Sequence, residues 1–99
     1  MPSNTKYNIK KLEHMSDVLK AVAHPLRIGI VDVLLKNEEL SVNSISKLLG
    51  IDQPEASRQL KTLKQAGLIQ VRKKATSRYY SVVDKNISQL LSCVENCTV

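Results

Sequence analysis

The sequence predicts a mainly α-helical domain with one small β-hairpin, about five helices and two strands, and three observations predict it. Apolar residues recur at three- and four-residue steps through most of the chain. Four of the six Gly and Pro residues, Pro25, Gly50, Pro54 and Gly67, fall where a helix begins or ends. One stretch, residues 68–83, is instead rich in Val, Ile and Tyr around a short polar centre, the mark of a hairpin. Ninety-nine residues, 42% hydrophobic and 24% charged, suit one globular domain with a small core.

Residues 1–8 are polar and are expected to fray, leaving residues 9–99 as the domain. Ile9, Leu12, Met15, Leu19 and Val22 then mark an amphipathic first helix. His24-Pro25 closes it and opens a second, residues 26–35, because proline suits a first helical turn. The β-branched Ile28, Ile30, Val31 and Val33, with Gly29, work against helix there. Residues 36–39 read as a polar turn. Ser41 caps a short helix whose inner face is Val42, Ile45, Leu48 and Leu49, with Gly50 as its left-handed end. A further helix, residues 52–66, starts at once: Asp52 and Glu55 have capping-box spacing, Pro54 sits in the first turn and Gly67 ends it. Strands 68–73 and 77–83 follow around Lys74-Ala75-Thr76, and Asp84 caps a last helix bearing Ile87, Leu90, Leu91 and Val94. Two helices joined by Leu49-Gly50-Ile51-Asp52 and followed by a hairpin make a winged helix-turn-helix.

The formal charge of +6 is unevenly spread. Residues 51–83 carry Arg58, Lys61, Lys64, Arg72, Lys73, Lys74 and Arg78 against only Asp52 and Glu55. That local excess attracts a polyanion. No nucleophile–base set, phosphate loop or convincing metal-ligand cluster stands out, so an enzyme is not expected. With no Phe or Trp and three Tyr, stacking platforms for RNA are disfavoured. The sequence has no apolar run of about 18 residues and no signal-like start, so the chain is expected to be cytoplasmic, with no membrane partner.

On the helix over residues 52–66, Ala56, Leu60 and Leu63 fall on one side and face the core. Pro54, Arg58, Lys61 and Thr62 point away, with Gln53, Ser57 and Lys64 on the flank. Such a helix fits the major groove of double-stranded DNA, where Arg can bond guanine, Gln adenine, and Ser or Thr an edge or a phosphate. The hairpin over residues 71–82 adds Arg72, Lys73, Lys74, Thr76 and Arg78 for the DNA backbone or a neighbouring minor groove. Of Tyr79 and Tyr80, one is expected in the core and the other half-exposed.

In order, Ala23-His24-Pro25-Leu26-Arg27, Glu39-Leu40-Ser41-Val42, Leu49-Gly50, Ser57-Arg58-Gln59-Leu60, Leu63-Lys64-Gln65-Ala66-Gly67-Leu68-Ile69 and Tyr79-Tyr80-Ser81 resemble the ArsR/SmtB family of bacterial repressors, over about residues 19–83. The resemblance implies a homodimer built from the first and last helices, an imperfect inverted repeat as operator, and an inducer that loosens DNA binding. It places Gln53, Pro54, Ser57 and Arg58 at base-reading positions. Pro54 and Glu55 depart from the small hydroxyl residues usual there, and Ala75 replaces the usual wing glycine. The family's sensor sites are incomplete: Ser41 and Asn43 stand in place of one cysteine pair, and Asp32 in place of another cysteine. In the last helix Asp84 matches a zinc ligand, but Asn86 and Cys97 replace histidines.

Two expectations concern the last helix. Ile87, Leu91 and Val94 exceed what one small domain can cover, so with Leu12 and Met15 they are assigned to the dimer interface. Cys93 and Cys97, four apart and on one side of the helix, could bind a thiophilic metal or metalloid inducer or sense oxidation, with His14 of a second copy as a third group. The other reading, which the packing of free cysteine favours, makes them small hydrophobes beside the apolar stripe. His24 and His14 are assigned structural or solvated roles. The rival function is a winged-helix module that binds protein and uses its basic face for solubility or an acidic partner.

Overall fold

The computed structural model describes residues 6–95, with side chains described through residue 92. The helices are α1 (Ile9–Val22), α2 (Pro25–Asn37), α3 (Val42–Leu49), α4 (Gln53–Gln65) and α5 (Ile87–Glu95). The strands are β1 (Glu39–Ser41), β2 (Ile69–Lys74) and β3 (Ser77–Val82). α1 to α4 each start where a side chain accepts one of the amides that the first turn leaves unpaired, whereas Asp84, expected to cap the last helix, accepts from the Asn86 amide one residue ahead of α5. Asn8 takes the Lys11 amide at 2.8 Å, Ser41 that of Ser44 at 3.2 Å and Asp52 that of Glu55 at 2.8 Å. His24 caps α2 through Nδ1, which accepts from the Leu26 amide at 3.2 Å, ahead of Pro25 in the first turn. The structural role expected of His24 is this cap. Gly50 and Gly67 end α3 and α4 at φ of 67° and 79°, where a Cβ would be strained.

α2 is the central helix despite its β-branched residues, because burial outweighs propensity. Its Ile30, Val31 and Leu34 pack with Ile45 of α3 and Leu60 and Leu63 of α4 to form the fully buried centre. The helix runs past the expected end at residue 35 and stops at Glu38, whose φ of 60° and ψ of −63° approach the strained γ-turn geometry. That turn aims the chain along β3, so the expected polar turn over residues 36–39 gives way to a third strand. The sheet is antiparallel with order β1-β3-β2, pairing Leu40 with Tyr80 and Val71 with Tyr80 from the other side.

Two side-chain placements differ from the sequence reading. Leu48 is 56% exposed, and the buried face of α3 carries Ser46 in its place. At about 100° per residue Ser46 falls roughly 40° from Val42 and roughly 60° from Leu49, whereas Leu48 falls roughly 120° and roughly 100° from them. The Ser46 hydroxyl avoids an unpaired burial by donating to the Asn43 carbonyl at 2.9 Å. Ile87, assigned to a partner-facing surface, is 9% exposed and belongs to its own chain's core, because α5 folds back against α2. Tyr80 packs on that core while Tyr79 is half-buried on the other face of the sheet.

Candidate nucleic-acid interface

α4 buries Ala56, Leu60 and Leu63, so the rest of its circumference is turned outward. Gln53, Pro54, Ser57, Arg58, Lys61, Thr62 and Lys64 are all exposed, as the sequence predicts. The first turn of α4 is tied to α3, where Gln53 Nε2 donates to Asn43 Oδ1 at 2.9 Å. Asn43, at one of the incomplete sensor positions, is thus engaged in holding the two helices of the motif together. The other, Ser41, is engaged as the α3 cap. Thr62 donates its hydroxyl back to the Arg58 carbonyl at 3.3 Å.

The capping box is half formed. Asp52 accepts from the Glu55 amide, but the Glu55 carboxylate turns along the helix, accepting from Arg58 Nε at 2.9 Å and Gln59 Nε2 at 3.4 Å. The Arg58 hydrogen bond is the main reason that the Glu55 carboxyl sits below its ordinary value of 4.5, and the same bond raises Arg58.

The wing divides its charges by the strand pleat. Successive residues of a strand face opposite sides. Lys73 and Arg78 are directly opposite each other in the β2–β3 register and lie on the side that buries Ile69 and Val82. Beyond the core they line, with Ser41, Asn43, Ser57 and Thr76, a polar groove of about 620 Å³ between the helix-turn-helix and the wing. Arg72 and Lys74 face the other side. There Arg72 reaches across β3 to Glu39 of β1, with Nη2 at 2.6 Å and Nε at 3.3 Å from the two carboxylate oxygens. This hydrogen bond, with weaker attraction from Arg72 and Lys74 charges, holds Glu39 below its ordinary value. The cluster Arg72 to Lys74 is therefore two sets, one on the groove and one anchored outside. Strict alternation along the strand carries that division in the sequence, but Glu39 as the anchor depends on β1.

The wing turn is two residues, with Lys74 opposite Ser77, and not the three-residue Lys74-Ala75-Thr76. Ala75 adopts a φ of 57° while Thr76 keeps a negative φ, the pattern of a type II′ turn, which favours glycine at the first position.

At the opposite end, α1 and α5 border an apolar cleft of about 500 Å³. Met15 at 36%, Leu19 at 48% and Val83 at 53% exposure leave its wall open. Leu12 and Leu91 are half-buried. Leu19 and Val83 were absent from the sequence-derived interface. Cys97 lies outside the described residues, as do the side chains of Cys93 and Val94. Among the described residues no three His, Cys, Asp or Glu side chains gather as metal ligands, and no helix is long and apolar enough to cross a membrane.

A helix pair braced by Asn43 and Gln53, followed by a hairpin that shares a polar groove with it, defines the winged helix-turn-helix class of DNA-binding protein. The helix-turn-helix domain family matches residues 22–72, more than half of the chain, and the chain belongs to that family. An HTH-type transcriptional regulator of Methanocaldococcus jannaschii, itself uncharacterized, is 31% identical over 88% of this chain and 98% of its own length. Among solved structures, the transcriptional repressor BigR from Xylella fastidiosa superposes with a TM-score of 0.80 at 27% identity, covering 91% of this chain and 93% of its own. A homodimeric winged helix-turn-helix DNA-binding domain from Mycobacterium bovis, described as a candidate ArsR-family regulator, gives 0.76 at 28% identity, covering 96% and 87%. The ArsR-type resemblance read from the residues is borne out.

Proposed function

We propose that the protein is a homodimeric transcriptional repressor that places α4 in the major groove of double-stranded DNA and the wing on the flanking backbone. One observation carries this reading: Ser57, on the outward face of α4, and the Lys73–Arg78 face of the wing line the same polar groove. Two like charges directly opposite on neighbouring strands destabilise a hairpin on their own. An anion such as a DNA phosphate, lying between the wing and α4, relieves that repulsion. Gln53, Ser57 and Arg58 then face base edges, with Pro54 against them. Lys61, Thr62 and Lys64 follow along the helix, and Thr76 contacts the backbone at the wing tip. Relatives that are repressors, and the homodimeric state of the Mycobacterium bovis domain, support the same assignment. The open cleft between α1 and α5, with Met15, Leu19 and Val83 exposed along it, supplies an apolar surface for a second copy, and the half-buried Leu12 and Leu91 of the same two helices are assigned to that interface.

A thiophilic metal or metalloid inducer falls to Cys93 and Cys97, since Ser41 and Asn43 carry no thiol and are engaged in capping and bracing. The test of the main reading is selection of bound duplexes from a random library, followed by footprinting. The expected result is an imperfect inverted repeat protected in two half-sites about 34 Å apart. Uniform binding of all duplexes, or a single protected half-site, would overturn it. Absence of any binding at moderate salt would favour the protein-interaction module instead.

A further inference from the structure

Glu55 stands at the third residue of α4, where a capping box would send its carboxylate back to the Asp52 amide. It goes forward instead, so that Arg58 Nε and Nη2 both donate to Oε2 and Gln59 Nε2 donates to Oε1. The Glu55 side chain is 26% exposed and that of Arg58 is 70% exposed. The carboxylate is therefore held against the helix while the guanidinium stands out from it. Two of the five guanidinium N–H groups are occupied, and the rest form an edge that matches guanine O6 and N7. The carboxylate also places a negative charge beside that edge. A phosphate there is repelled by its full charge, and the neutral acceptors of a base, with only partial charges, far less.

Resting on the reading of α4 as the base-contacting helix, we propose that Glu55 is a positioning residue for sequence discrimination. It sets the orientation of Arg58 for a base edge and keeps that arginine from binding backbone phosphate indiscriminately.

The test uses the full chain and two probes: a duplex recovered from a random library with the unaltered protein, and a random-sequence duplex. Affinity for both is measured against salt for the unaltered protein, Glu55→Gln, Glu55→Ala, Arg58→Ala and Glu55→Gln/Arg58→Ala, with thermal melting of each as the folding control. Loss of the carboxylate is expected to tighten random-duplex binding about threefold to tenfold and steepen its log–log salt slope by about one, as a freed arginine takes up phosphate. The preference for the selected duplex is expected to fall about tenfold, without a change in melting that would account for it. In the Arg58→Ala background the Glu55 substitution is expected to change neither quantity. An unchanged preference in Glu55→Gln and Glu55→Ala, while Arg58→Ala loses it, overturns the positioning role and leaves the base-reading helix standing. An effect of Glu55→Gln that persists without Arg58 also overturns it, since Glu55 then acts on the DNA directly. An unchanged preference in Arg58→Ala overturns the underlying assignment of Arg58 and the inference with it.

Discussion

The recognition helix and the wing each hold one arginine on one glutamate, and they do so by opposite routes. Arg58 meets Glu55 from three residues away on the same helix, whereas Arg72 meets Glu39 from 33 residues away, across the central strand of the sheet. The helix pair arises whenever α4 forms and leaves its guanidinium on the outward face. The wing pair requires β1 in the sheet and lies on the side away from the polar groove. The same chemistry thus displays an arginine in one region and anchors one in the other. The wing's groove-facing cations are those that the pleat keeps away from Glu39, namely Lys73 and Arg78.

Like behaviour of the two arginines would overturn this division. Arg58→Ala is expected to cost about tenfold to a hundredfold in preference for the selected duplex over one altered at the contacted base pair. Arg72→Ala should leave that preference unchanged in the same competition experiment, because its guanidinium is committed to Glu39. Equal losses would mean that both are displayed.

A smaller effect separates the two faces of the wing. Lys73 has no carboxylate partner among the described residues and lines the groove, whereas Arg72 is paired. Lys73→Ala is expected to weaken binding to every duplex and flatten the log–log salt slope by about one, while Arg72→Ala flattens it by clearly less. Fluorescence anisotropy across a salt series reads both. Identical slopes for the two variants would show that the pleat does not partition the charge.

The start of α4 was legible in the sequence, whereas neither arginine pair was, for a physical reason. Helix caps are set by local spacing, so Asp52 declares itself as soon as α4 is recognised. The same spacing offers Glu55 both the Asp52 amide and Arg58, and the capping-box reading took the first. The caps at Ser41 and Asp52 and the stops at Gly50 and Gly67 were readable in the same way. β1 is three residues long, too short for a period of its own, and exists because the chain leaving Glu38 meets the free edge of β3. Its partner lies 40 residues on, where no local pattern reaches. Burial on α5 failed similarly: an apolar stripe says that Ile87 is covered, but not whether its own chain or a second copy covers it.

The wing also departs from the helix in how well its local chemistry agrees with its conformation. Every described cap of α4 suits its backbone, while Ala75 holds a φ of 57° where glycine is favoured. A left-handed alanine costs roughly 1–2 kcal/mol. Part of that is offset by the greater freedom that glycine loses on folding. Ala75→Gly is therefore expected to stabilise the domain by about 0.5–1 kcal/mol in urea denaturation. A lower midpoint would place the turn in a geometry that alanine tolerates without strain.

The smallest effect tests whether the long-range pair contributes through its charge. Glu39 is held below its ordinary value of 4.5, chiefly by the Arg72 hydrogen bond. A carboxyl that is more acidic in the folded chain adds stability that is fully present above 4.5 and is lost as pH falls through its lowered value. The contribution is small, since the pair is open to solvent and screened. The difference in melting temperature between the unaltered protein and Glu39→Gln should therefore be constant from about pH 7 to pH 5 and shrink as the pH is lowered further, through the lowered value of Glu39. Raising the salt at pH 7 should shrink it too, because screening acts on the same interaction. A difference that persists at low pH and high salt would mean that Glu39 steadies β1 by packing, and that the wing, unlike the helix, does not depend on its ion pair.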